Sequence, residues 1–187
     1  GKFLFIGTSK GTTDYSTVYT FDGKSIISIM DFDSSEIKSS ATFANYVYFG
    51  MGNGYGTASS SIYRYNNSEW DKILASDADS VDALVYCSAT NSLVAGFSGG
   101  QIWTLPFDTN NDASSWSLWY ETYADNFYSI TNDTGGNYLF AASSNGLYSY
   151  FKSLDQFKLI TTFKSITPNI NYNLRTYDSF SQSFSTA

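Results

Sequence analysis

No histidine occurs in the 187 residues, cysteine occurs once, proline and arginine occur twice each, and glutamate three times. Without histidine, Ser-His-Asp and Cys-His nucleophile systems and every imidazole metal site are excluded within this chain. The lone Cys87 rules out an internal disulfide and any multi-cysteine metal site. Its setting, Leu84-Val85-Tyr86-Cys87, reads as a buried strand in which a thiol packs as a small apolar group. Arg64 and Arg175 are too few for an arginine cluster that clamps a carboxylate. Ten Lys plus Arg against 17 Asp plus Glu give a net charge of -7, which repels phosphate backbones, so nucleic acid is not an expected partner. No run approaches the roughly 18 apolar residues of a membrane span, so membrane insertion is not expected either.

What the chain has in quantity is aromatic residues and serine. Sixteen Tyr, 15 Phe and 4 Trp make 19% of the sequence, beside about 30 Ser, a composition that favours strands and polar loops over helices. The length suits one domain with a sizeable core. Low charge, abundant Ser, Asn and Tyr, and glycosylation tripeptides at Asn66-Asn67-Ser68 and Asn132-Asp133-Thr134 point to an extracellular, cell-surface or virion-surface location.

The chain repeats itself. Tyr138-Leu139-Phe140-Ala141-Ala142, the turn Ser143-Ser144-Asn145-Gly146, and Leu147-Tyr148-Ser149-Tyr150 are the clearest copy of a unit whose relatives begin at Phe3, Tyr46 and Ser92. Gly50, Gly96 and Ala142 close equivalent strands at intervals of 46, and Gly7 precedes Gly50 by 43. Asp33, Asp79, Asp125 and Asn171 also lie 46 apart. Each period holds four short strands, which places units at about 1–35, 36–80, 81–126 and 127–172, with a further strand in 173–187. The fold expected is all-β, a β-propeller of about four four-stranded blades. Two arrangements remain open. Leu174 to Phe180 pairs with Phe3 to Gly7 and closes a four-bladed ring, or the chain is part of a larger propeller or multidomain assembly.

The segments Tyr-Leu-Phe-Ala-Ala with Asn-Gly-Leu-Tyr, and Ser-Ile-Tyr-Arg-Tyr with Glu-Trp, resemble the generic blade of secreted β-propellers. The likeness covers nearly the whole chain and implies a fold, not an activity. It lacks a full Ser-x-Asp-x-Gly-x-x-Trp sialidase box and the Gly-His and Trp-Asp pairs of WD40 repeats, although Trp70-Asp71 occurs once.

Candidate sites follow from this frame. The turn leaving each outer strand reaches the axis, so Asp33, Asp79, Asp125 and Asn171 would form an oxygen ring suited to calcium, or else cap their own turns. Tyr55, at the tip of the glycine-rich loop from Gly50 to Gly56, is a candidate for stacking on a ligand. Strict alternation sets Trp116, Leu118 and Tyr120 on one face and Trp119 with Glu121 on the other. Trp119, Glu121 and Tyr123 are therefore candidates for a rim site, against the alternative of packing between blades. Asn66 and Asn132 are the glycosylation candidates. The function expected is a non-enzymatic recognition or attachment module for a glycan or protein receptor. The alternatives are a glycosidase using paired carboxylates and a purely structural propeller.

Overall fold

A computed structural model describes residues 3–8, 15–33, 35–53, 60–76, 80–108, 115–122, 126–133, 135–162, 175–178 and 183–186. Among them there is no helix. The strands are β1 (Leu4–Gly7), β2 (Tyr15–Phe21), β3 (Ile26–Asp33), β4 (Ser35–Phe43), β5 (Tyr46–Asn53), β6 (Ser60–Tyr65), β7 (Trp70–Ser76), β8 (Val81–Cys87) and β9 (Ser92–Phe97). They continue as β10 (Gln101–Pro106), β11 (Ser117–Glu121), β12 (Phe127–Asn132), β13 (Tyr138–Ser143), β14 (Gly146–Phe151), β15 (Gln156–Thr162), β16 (Arg175–Asp178) and β17 (Ser183–Thr186).

Each strand pairs with its neighbour in sequence, and every pairing is antiparallel. β4 to β7, β8 to β11 and β12 to β15 are four-stranded sheets, β1 to β3 a three-stranded one, and β16 with β17 a hairpin. The protein is a β-propeller, and the sheets are its blades. Short turns make the local pairing possible. At the β2–β3 hairpin, Gly23 takes φ 96, a conformation without penalty only for glycine, and Asp22 accepts the amides of Lys24 and Ser25 at 2.8 Å.

The first strands of the three full blades lie side by side, β4 against β8 and β8 against β12. These inner strands are stitched together. Ser39 Oγ donates to the carbonyl of Val81 at 2.8 Å, and Asn132 Nδ2 donates to that of Tyr86 at 2.6 Å. The repeated small residue of the second strand now has a physical cause. A Cβ on Gly7 would lie 2.6 Å from Ile37 Cγ2, one on Gly50 2.7 Å from Val81 Cγ1, and one on Gly96 2.8 Å from Ile130 Cδ1. At these three junctions the glycine-bearing strand touches the next blade's inner strand through a missing side chain.

Three apolar clusters fill the blade junctions. Val18 and Phe32 of the first sheet meet Phe49 and Met51 of the second, Tyr48 and Ile62 meet Val81 and Leu93, and Val94 and Ile102 meet Phe127 and Leu139. The described part of 174–180, β16, pairs with β17, whereas β1 pairs with β2, so the strand exchange that would close a four-bladed ring is not formed among the described residues.

Candidate functional site on the axial face

Alternation along the three inner strands is broken at one corresponding point in each. The β4–β5 register shifts between Ile37 and Ser39, the β8–β9 register between Val81 and Ala83, and the β12–β13 register between Phe127 and Ser129. Lys38, Asp82 and Tyr128 are thus extra residues in β-bulges, and a bulge turns its side chain out of the regular pleat. Asp82 and Tyr128, with Ser39, Ser40, Leu84 and Ser129, line a cavity of about 230 Å³. Because its walls come only from the first strands of three successive blades, the cavity lies on the axis of the arc.

Its electrostatics are mixed. Lys38 Nζ contacts Glu36 Oε2 at 2.6 Å. That hydrogen bond, and then the charges of Glu36 and Asp82, raise the Lys38 amine above its ordinary value, so it stays protonated. Gly52 leaves room for this side chain, since a Cβ there would stand 2.7 Å from Lys38 Cε and 3.0 Å from Ser80 Cβ. Ser80 Oγ donates to Asp82 Oδ1 at 2.8 Å, which fixes the carboxylate. Tyr128 is 53% exposed, and its hydroxyl accepts from Asn126 Nδ2 at 3.4 Å, which leaves the ring face open. The site therefore offers one aromatic face, several hydroxyls, and an anchored anion beside a cation. Among the described residues no group of three or more Cys, Asp or Glu is placed to hold a metal ion.

The residues singled out in the sequence fall elsewhere or outside the described chain. Tyr55, Asp79, Tyr123, Asp125 and Asn171 lie outside the described residues, and of Asp33 only the backbone, paired with Tyr15, is described. Trp119 does not share the outer face with Glu121 as strict alternation has it. Ile102 pairs with Tyr120 and Trp103 with Leu118, so Trp119 is itself a bulge and turns toward the fourth blade together with Tyr120. Its ring meets Tyr150 at 4.6 Å and Phe157 at 4.8 Å, both edge-on, which is packing between blades. Beneath it, burial and then a 2.8 Å bond to Asp155 push the Tyr150 phenol up to about 12. Glu121 is exposed and accepts from Gln101 Nε2 at 2.8 Å. Arg64 is engaged structurally, donating to Asp71 Oδ2 at 2.9 Å with its guanidinium 4.8 Å from the centre of the Tyr46 ring.

The two sequons part company. Asn66 caps the exposed β6–β7 turn by accepting the amides of Ser68 and Glu69 through Oδ1. Asn132 Nδ2, the atom a glycan would occupy, is bonded to Tyr86 between inner strands, and its Oδ1 is buried. Secreted through a glycosylating pathway, the folded protein is expected to carry glycan at Asn66 and none at Asn132. Peptide mapping by mass spectrometry reads this directly.

Similarity to known proteins is structural. No protein family and no curated protein matches the chain. The periplasmic gluconolactonase of Pseudomonas aeruginosa is similar with a TM-score of 0.60 at 14% identity, over 82% of this chain and 52% of that one. A chain of a nidogen/laminin complex has a TM-score of 0.61 at 14% identity, over 97% of this chain and 68% of that one. The Cps50 (Swd1) β-propeller domain of Myceliophteria thermophila has a TM-score of 0.54 at 11% identity, over 82% and 53%. These likenesses establish the propeller fold and no more. The chain spans about half the length of two of these structures and about two thirds of the third.

Proposed function

We propose that this protein is a non-enzymatic recognition module that binds the terminal, uncharged sugar of a glycan in the axial cavity. The observation that carries the reading is the half-exposed Tyr128 ring standing in one cavity with the Asp82 carboxylate and the hydroxyls of Ser39, Ser40 and Ser129. A sugar presents an apolar C–H face and a rim of hydroxyls, and this lining offers a partner for each. About 230 Å³ is below the roughly 300–1,000 Å³ of sites that enclose drug-sized ligands, which suits one sugar residue rather than a buried chain. The net charge of -7 disfavours anionic glycans.

The attachment role belongs to the same proposal: the protein works at an extracellular, cell or virion surface and recognises a glycan displayed by a receptor. The low charge, the Asn66 turn and the periplasmic location named for one similar structure support that setting.

An enzymatic reading has one specific support, the similar structure named a gluconolactonase. Glu36 and Asp82, both near Lys38, are the carboxylates such a reading would use.

Glycan-array binding separates the two. Retention of neutral glycans is expected, with affinity falling about tenfold or more in Tyr128→Ala, equivalent to about 1.4 kcal/mol, and no product released. Turnover of a sugar lactone or glycoside, lost in Asp82→Asn, would establish the enzyme instead.

A further inference from the structure

Alternation gives the last full blade two faces. Leu139, Ala141, Tyr148 and Tyr150 are buried against the third blade. Tyr138, Phe140, Leu147 and Phe151 turn the other way, since Tyr138 pairs with Phe151 and Ala142 with Leu147 on one side of the sheet. At the two preceding junctions the corresponding residues are sealed. Tyr48 and Ile62 of the second blade, and Val94 and Ile102 of the third, are at most 1% exposed and pack on the first two strands of the next blade. On the last full blade Phe140, Leu147 and Phe151 are only half-buried and Tyr138 is 42% exposed. The Tyr138 ring lies 6.3 Å from that of Phe140 and 5.5 Å from that of Phe151, so the three form one aromatic surface.

Each sealed face is covered by the hairpin that opens the next blade, and the chain holds a further hairpin of that kind. β16 and β17 pair with Asp178 opposite Ser183, as β8 and β9 pair with Cys87 opposite Ser92. Both hairpins turn through four residues, 88–91 and 179–182. Four residues past Ser92 stands Gly96, and four past Ser183 stands Ala187, a small residue at the place held by Gly50, Gly96 and Ala142 in the full blades.

We propose that the β16–β17 hairpin of this same chain docks on the Tyr138–Phe140–Leu147 face as the first two strands of a fifth blade, with β16 beside β12 as β12 lies beside β8. Three arguments select this hairpin. The contact continues an interface that the fold already makes, in the same order, at the two preceding junctions. The connection is long enough: residues 163–174 can span about 40 Å at about 3.3 Å per residue, whereas the return across a blade covers three strand spacings of about 4.8 Å each. Residues 77–80 and 122–126 make the same return after the second and third blades. A two-stranded hairpin is also marginal in water without an apolar surface to pack on, so its pairing itself calls for a partner face. Docked there, β16 extends the wall of the axial cavity by one strand beyond β12.

The test is amide hydrogen exchange, read by mass spectrometry at two protein concentrations, on the wild type and on Leu147→Asp and Phe140→Ser. In the wild type the amides of β16 and β17 are expected to exchange about 100-fold or more slowly than in an unstructured chain, independently of concentration. Either substitution is expected to speed exchange of both strands by about tenfold or more, while the second and third blades keep their protection. Phe140→Ser is the milder change and keeps the test decisive if Leu147→Asp loosens the last full blade. Free exchange of the hairpin in the wild type, or protection that neither substitution lowers, would overturn the proposal. Protection that appears only as concentration rises would overturn it too, and would assign the face to a second copy.

Discussion

Gly50→Val is expected to remove about 3 kcal/mol of stability, against less than about 1 kcal/mol for Ala142→Val at the corresponding position of the last full blade. Gly50 faces Ser39 Oγ and Val81, and a Cβ there would stand 2.7 Å from Val81 Cγ1 and 3.0 Å from the Val81 carbonyl oxygen. That oxygen is backbone and cannot rotate away. Overpacking of this kind costs about 1–3 kcal/mol. Displacing Ser39 also breaks its 2.8 Å bond to the same carbonyl, which adds about 1 kcal/mol. Ala142 already carries a Cβ and is only half-buried. Urea unfolding reads both variants, with an unchanged slope showing that the loss lies in the folded state.

Phe127→Ala is expected to cost about 3–5 kcal/mol, the range for deleting a fully buried aromatic ring. Phe127 is completely buried at the head of β12, with its ring 5.4 Å from Tyr148 and 6.4 Å from Tyr120. Truncation would leave a void between the third and fourth blades that the β-sheet backbones cannot close. Its neighbour in sequence supplies the contrast. Tyr128→Ala removes an exposed ring and is expected to change stability by no more than about 0.5 kcal/mol while weakening ligand binding. Two adjacent residues thus separate fold from function, and thermal or urea melts beside binding assays on the pair distinguish them.

The fold was legible because its constraints repeat. Close contact between each second strand and the next inner strand demands a small residue, and this leaves Gly7, Gly50 and Gly96 as a visible period. Aromatic strands separated by Asp-Gly and Asn-rich turns marked the hairpins for similar local reasons. The candidate site was not legible, since a bulge changes which way a side chain faces without leaving any mark in composition. Lys38, Asp82 and Tyr128 hold equivalent positions 44 and 46 residues apart, yet they are a base, an acid and a phenol. Only aligning the inner strands by their preceding units would have brought them together. The same device misplaced Trp119, which strict alternation puts beside Glu121 and a bulge turns onto Tyr150. Asn132 shows a third limit. Its tripeptide reads as an acceptor, while its amide is spent tying β12 to the Tyr86 carbonyl.

The measurement that bears most directly on the axial site is a backbone amide chemical-shift titration with glucose, galactose, mannose and N-acetylglucosamine in turn. At least one sugar is expected to shift the amides of 38–40, 82–84 and 128–130 together, and Tyr128→Ala is expected to abolish the response. Shifts confined to the outer strands, or none with any of the four sugars, would contradict a sugar-binding site built on the three inner strands.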